Sequence, residues 1–498
     1  MAMRLNGLMS GIDTESIIQQ LVEARSTKVT TAKKAQMKID YKINAWKSLN
    51  TKLKNLQSKY ISNMRFSDAY TKKTTKVSNS DIVSVLTGDS AVLGTQSLKV
   101  TQTAKTGILT GGKLSENGSV TALTKISDLV GADCEGKSIK ITSKDGSKSA
   151  DIQLTAESTI SDVLTQMRNA GFNASFDEKQ QRIFISSKES GELNDFDITG
   201  DADVLTALKL QESVNGATKV KGQDAEIELN GAKFTSSNNV FEINGLTFTV
   251  LKEAKDETVT VTTERDTSGI YNMVKDFLKE YNSIINEIDK LYNADSAKGY
   301  EPLTSEEKES LSETEIKEWE DKIKDSILRR DSNLNTVGSA LKEIMSSGFE
   351  INGKTYHLFD FGIETLGYFS SADNEKNAYH INGDPDDDST SGNADKLMGM
   401  ITNDPDTVVA FFTKLSQSLY SKMSDLSKSV QGYRSFGNFY DDKKMKDDYD
   451  SYTTKIAELE EQLNKYEDSW YAKFAKMESA MAKMQQNTSA ITSLLGGS

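Results

Sequence analysis

No proline or glycine interrupts residues 13–87. Both residues are the usual breakers of a helix, so a long unbroken helix is open to this stretch. Asp13 is placed to cap it, and Glu15 in the first turn suits the positive end of the helix dipole. Ile18, Val22, Val29, Ala32, Ile39, Ile43, Trp46, Leu49, Leu53, Leu56 and Tyr60 then recur largely at three- and four-residue steps. The spacing predicts one helix from about 13 to 62, roughly 70 Å long at 1.5 Å per residue. The other end of the chain mirrors it. Tyr452, Ile456, Leu459, Leu463, Tyr466, Trp470, Phe474, Met477, Met481 and Met484 follow the same steps, and Ile491 and Leu494 extend the stripe. Charged residues flank that seam, as in a coiled coil, and the repeated steps of four at Tyr466, Trp470 and Phe474 read as a stutter. Each large apolar side chain gains ~1.5–3 kcal/mol on burial, so these stripes require helical partners.

Between about 76 and 265 the period falls to two. Ile82–Val85, Ser97–Val100, Ile139–Ile141, Arg182–Ile185 and Thr258–Val261 read as strands. A short repeat marks hairpins. Asn230-Gly231, Asn244-Gly245 and Asn352-Gly353 each sit between strand-like flanks, which is a strong hairpin signal. Residues 115–216 read as an inserted unit, with strands at 138–142, 150–154, 172–176 and 182–186 and a helix near 158–170. Helical periodicity returns at 268–291 and 313–345, and again from Pro405, where Asp404 is the expected cap.

The expected fold is α+β and multidomain. Long terminal helices form a coiled-coil leg and a helical bundle, and β-rich head domains are nested between them. The expected segments are 1–45 and 441–498 for the leg, 46–75 with 266–440 for the helical domain, 76–114 with 217–265 for one head domain, and 115–216 for the second. A chain of 498 residues has room for about three domains at roughly 150 residues each.

Composition narrows the function. The net charge is −14 and the isoelectric point about 5.0, so nucleic acid is not an expected partner. No stretch reaches the roughly 18 apolar residues of a membrane span, and no cationic leader with an apolar core opens the sequence. A single cysteine, Cys134, excludes an internal disulfide. Two histidines, His357 and His380, leave little room for histidine catalysis; both read as structural strand positions. Gly131–Ser138 fits the phosphate-loop spacing G-x-x-x-x-G-K-S. The residues after it alternate like a strand where a helix is needed, and Asp133 and Glu135 would face the phosphates. It reads as a polar turn. The acidic run 384–395 echoes a calcium loop but has Ser389 where the turn requires glycine, so it reads as a solvated loop. No catalytic, cofactor or metal residue is assigned.

Four stretches resemble the flagellar filament-capping family, hook-associated protein 2. They are the run Leu5-Asn6-Gly7-Leu8-Met9-Ser10-Gly11-Ile12-Asp13, continuing to Ile17, Ile18, Leu21 and Val22; Thr258–Thr262 followed by Arg265-Asp266 and Val274–Phe277; Asp404–Val408 with Phe411-Phe412; and the terminal coiled coil with Tyr466, Phe474, Met477 and Glu478. The resemblance implies a ring-like homo-oligomer, commonly a pentamer, at the distal tip of the flagellum. It also implies export by the flagellar type III route with a cytoplasmic export chaperone. The partners implied are flagellin and the hook-associated junction proteins. The role implied is to retain and help fold exported flagellin. The expected contact set pairs Leu5, Leu8, Ile12, Ile17, Ile18, Leu21 and Val22 with Leu459, Leu463, Tyr466, Trp470, Phe474 and Met477. Residues 295–312 and the acidic loop match no family motif. Two other readings remain open on the residues alone: an adhesin binding mucus or glycans through the head, and an enzyme using the 131–138 loop.

Overall fold

The computed structural model describes residues 11, 13–367 and 369–495. The chain divides into two compact units: Thr71–Asp266 is one, and the described parts of Met1–Tyr70 and Thr267–Ser498 form the other.

The terminal unit is helical. Its N-terminal helix spans Thr14–Asn55, 42 residues or about 63 Å. Asp13 caps it, accepting from the Ser16 amide at 3.0 Å. The expected continuation to 62 is not α-helical. Residues Leu56–Ile61 widen into a π-turn before Ser62–Met64 resumes, and both Leu56 and Ile61 are buried there. A π-turn shifts the register of the side chains that follow, and here apolar ones keep facing the core. The C-terminal helix, Asp442–Leu495, runs 54 residues without a break.

Between these ends, helix Thr267–Tyr292 buries Ile270, Val274, Phe277, Tyr281, Ile284, Ile285 and Ile288 along one stripe. Helix Pro405–Leu426 starts as its sequence requires: the Asp404 carboxylate accepts from the Thr407 amide, and proline fills the first turn. Its Phe411 and Phe412 pack at right angles, 5.3 Å between centroids, and Phe361 lies 4.6 Å from Phe411. Trp46, Leu49 and Leu53 of the N-terminal helix join this core. The helix expected over 313–345 is two helices, Glu313–Ser326 and Ser332–Met345. Arg330 takes a left-handed conformation at φ 57°, and Asp331 caps the second helix.

The Thr71–Asp266 unit holds two apolar cores. The first lies between a five-stranded antiparallel sheet, in the order Lys73–Val77, Ala254–Arg265, Gly94–Gln102, Ala225–Leu229, Ala232–Ser236, and a three-stranded sheet of Val240–Ile243, Leu246–Val250 and Val83–Thr87. The second core belongs to residues 109–210. Helix Ile160–Asn169 lies on it, opened by a capping box between Thr159 and Asp162. Strand Phe196–Gly200 and two short helices, Ile126–Val130 and Ala202–Ala207, complete that core and were not expected. All three Asn-Gly pairs form hairpin turns with both residues at positive φ, for example Asn244 at 53° and Gly245 at 80°.

The phosphate-loop match is a turn. Gly131 ends a five-residue helix at φ 73°, and residues from Ser138 run on as strand Ser138–Ser143. The acidic run is a largely exposed loop, as expected, but several of its carboxylates are tied to partners. Asp384, 5% exposed, and Asp386 share the Lys275 ammonium, each at 2.6 Å. Asp387 meets His380 Nδ1 at 2.6 Å, and Asp395 caps helix Lys396–Asn403. The partners come from other elements, which is why the local pattern looked unpaired. His380 lies in strand Tyr379–Ile381; His357 follows a strand and stacks on Phe359 at 5.0 Å.

Trp46 is fully buried and its ring stacks on Tyr440, centroids 5.4 Å apart and planes 9° from parallel. Trp46→Ala is expected to lower the stability of the helical unit by ~3–5 kcal/mol, read as an earlier unfolding transition by calorimetry. An unchanged transition would mean that the helices do not depend on this contact.

Candidate functional site

Among the described residues, no group of three or more His, Cys, Asp or Glu side chains could hold a metal ion, and no helix is long and apolar enough to cross a membrane. The feature with unspent binding capacity is the pair of terminal helices.

They pack antiparallel. Moving down the N-terminal helix from Trp46, its partners climb the C-terminal one. Trp46 meets Tyr440; Gln36 Nε2 donates to Thr453 Oγ1 at 2.6 Å and to the Tyr449 carbonyl at 3.2 Å. Lys33 pairs with Glu460 at 2.7 Å, and the Arg25 guanidinium lies 4.3 Å from the Tyr466 ring centre. The Tyr471 hydroxyl donates to Glu15 at 2.8 Å. Val29, Ala32, Ile18 and Ile456 are buried between the helices.

Of the expected contact set, Leu5, Leu8 and Ile12 lie outside the described residues. Ile18 is buried, while Leu21 and Val22 are half-buried. Ile17 is 38% exposed and off the line of the seam. Leu459, Leu463, Tyr466, Trp470, Phe474 and Met477 are all half-buried. Tyr466, Trp470 and Phe474 form a ladder of rings with centroids 6.1 and 5.9 Å apart. The Trp470 indole N–H is shielded from solvent without a hydrogen-bond partner among the described residues. Farther along, Met484 is 70% exposed and Ile491 56%.

A second set of contacts escaped the sequence reading. Lys34, Lys38 and Lys42, spaced by four, share one side of the N-terminal helix and reach Glu307 at 2.6 Å, Glu301 at 3.2 Å and Asp331 at 2.7 Å. The lysine spacing was visible; the acids, more than 250 residues away, were not identifiable as partners. Helix Ser305–Glu309, opened by a capping box between Thr304 and Glu307, supplies the first of them. Between this segment and the leg lies a groove of about 570 Å³ lined by Val29, Met37, Leu303, Lys308, Glu460 and Leu463.

The Lys34 ammonium, and then the Thr304 amide, hold the Glu307 carboxyl below its usual range. A lowered folded-state pKa means stabilisation that is present above the unfolded value of about 4.3 and is lost as pH falls through the lower folded value. Glu307→Gln is therefore expected to flatten the acid-side loss of protection in hydrogen exchange over residues 30–38. The effect is that of a solvated pair, under about 1 kcal/mol. An identical acid profile in the variant would remove Glu307 from the account.

Comparison with known proteins adds the family. Residues 10–107 match the family described as Flagellar hook-associated protein 2 N-terminus, and residues 222–486 match Flagellar hook-associated protein 2 C-terminus. A flagellar hook-associated protein 2 from Halalkalibacterium halodurans is 24% identical, covering 96% of this chain and 97% of the relative. The Escherichia coli K12 protein of the same name is 23% identical over 81% of this chain and 79% of its own length. A crystal structure of the flagellar cap protein FliD D1-D2-D3 domains from Escherichia coli aligns at a TM-score of 0.49 and 19% identity, covering 77% of this chain and 96% of that one. With its N-terminal segment and more than half its length matched in this way, the chain belongs to the flagellar hook-associated protein 2 family.

Proposed function

We propose that this chain is a non-enzymatic cap at the distal tip of the flagellar filament, where it retains exported flagellin and promotes its folding and polymerisation. The observation that carries the reading is the half-buried aromatic seam of the leg in a member of this family. A seam buried on one side only retains part of its hydrophobic free energy for a further helical partner. The partners in this reading are flagellin, the hook-associated junction proteins, further copies in a ring-like homo-oligomer such as a pentamer, and an export chaperone met before passage through the flagellar type III route. Docking through a half-used seam is of limited strength, which lets the cap move as subunits add beneath it. No observation favours the adhesin or nucleotide-enzyme readings.

The test is growth of filaments in a cap-deficient strain. Ending the chain at residue 448 keeps Asp441, Asp442 and Met445, which hold the start of the C-terminal helix to the helical unit. That chain is expected to remain folded by circular dichroism and to restore no filaments. Trp470→Ser with Phe474→Ser, which leaves the whole helix in place, is expected to shorten filaments and release monomeric flagellin into the medium. Full-length filaments from either chain would overturn the role of the leg.

A further inference from the structure

The connection between helix Pro405–Leu426 and helix Asp442–Leu495 is a built hairpin with an apolar tip. Arg434 anchors it. Its guanidinium donates to the Leu426 carbonyl at 2.6 Å, to Asp441 Oδ1 at 2.8 and 3.0 Å, and to Asn333 Oδ1 at 3.3 Å. Val430 and Arg434 bridge across the turn, and Gly432 supplies the left-handed position at φ 74°. The Asp442 carboxylate accepts from the Ser435 amide at 2.7 Å, and the Tyr433 carbonyl accepts from the Lys443 and Lys444 amides. So fixed, the loop holds Tyr433 at 51% exposure and Phe436 at 82%. Single exposed aromatics are common on protein surfaces, but two held on one fixed turn are of the kind that anchors protein interfaces.

Charge says what the partner is. In a chain of net −14, residues 427–446 carry five cations and two carboxylates. The Lys443 and Lys444 side chains are exposed beside the tip; Lys443 makes no ion pair among the described residues, whereas Lys444 has a solvent-exposed one to Asp448 at 3.2 Å, for which a partner's carboxylates would compete. The opposite pattern lies at 301–325, where ten carboxylates face four cations. Glu306, Glu309, Glu313 and Glu318 there are exposed and make no ion pair among the described residues, while Leu311 and Ile316 remain half-buried between them. No hydrogen bond or ion pair joins residues 428–437 to 301–325 within one copy among the described residues. We propose that the 430–436 hairpin of one copy docks on the acidic Ser305–Ser326 helical segment of a second copy. Phe436 and Tyr433 enter between Leu311 and Ile316, and Lys443 and Lys444 face the free glutamates. Two different surfaces meet in this contact, so it is head-to-tail, the kind that closes a ring when the rotation permits. Complementary charge sets its register and its encounter rate. The proposal rests on the self-assembly part of the proposed function and names its surface.

The experiment uses the full chain with a benzophenone-bearing residue at position 436, as an equal mixture of 15N-labelled and unlabelled protein. It is irradiated, digested and read by mass spectrometry, with sedimentation velocity alongside. The expected result is an assembling chain with mixed-isotope crosslinks from 436 to peptides within 301–325. Lys443→Glu with Lys444→Glu is expected to weaken assembly by about tenfold or more. Glu309→Lys with Glu313→Lys in the same chain is expected to restore it. Crosslinks from an assembled chain to any other peptide, within a copy or between copies, overturn this contact and leave self-assembly standing. So does selective crosslinking to added flagellin. A chain that stays monomeric at every concentration overturns both.

Discussion

The leg depends on one junction. Where the N-terminal helix leaves the core, Trp46 stacks on Tyr440, and one turn further into the core Asn50 clamps the chain before Tyr440. The Asn50 side chain accepts from the Phe439 amide at 2.9 Å and donates to Asn438 at 3.0 Å. These groups lie almost 390 positions apart in sequence. Closing so long a loop is entropically unfavourable, and the buried contacts of the helical unit offset that loss once. The two terminal helices are then already side by side, and each further contact along the leg is nearly local. Without the junction the same stripes would sit on separate helices in water.

The legible parts of the fold were the local ones. Asn-Gly turns and the Asp404-Pro405 helix start announce themselves because the residue and the conformation it favours are adjacent. The apolar seams were legible for the same reason, since periodicity is a property of one helix. Contacts between distant segments were not legible. Lys275 answers the acidic loop from more than 100 residues away, and the partners of Lys34, Lys38 and Lys42 lie beyond residue 300. The break at 327–331 was hidden because it turns on Arg330 at positive φ, a conformation arginine does not advertise. Strand Phe196–Gly200 was missed because Phe-Asp-Ile-Thr-Gly is short, and its pairing with Ser138–Ser143 comes from more than 50 residues upstream. Ile17 belonged to the contact set through the resemblance and not through the periodic stripe, which names Ile18; of the two, Ile18 is the buried one.

The two sides of the N-terminal helix are used differently. Over residues 30–42 it has neighbours on two sides: the C-terminal helix through Lys33 and Gln36, and the 301–331 segment through the lysine row. Ion pairs with one side open to solvent add little stability, yet three in a row from one segment fix where that segment lies. Over residues 14–25 the structure describes only the C-terminal helix against it, through Glu15, Arg25 and the buried Ile18.

That asymmetry locates where added contact would matter. Near the junction the leg is dry and already packed, so a further surface would bury little. Along 459–477 every seam residue named above is half-buried, and beyond it Met484 and Ile491 stand largely in water. Long side chains with a polar or polarizable end, such as Tyr466, Trp470 and Met477, tolerate that position better than leucine or valine would, and they can repack against a surface that changes. Local stability therefore falls from the junction outward, and the weakly held end carries the most unburied apolar area. In the proposed function a cap must hold and then let go. A leg anchored at one end and half-packed at the other supplies both from a single pair of helices.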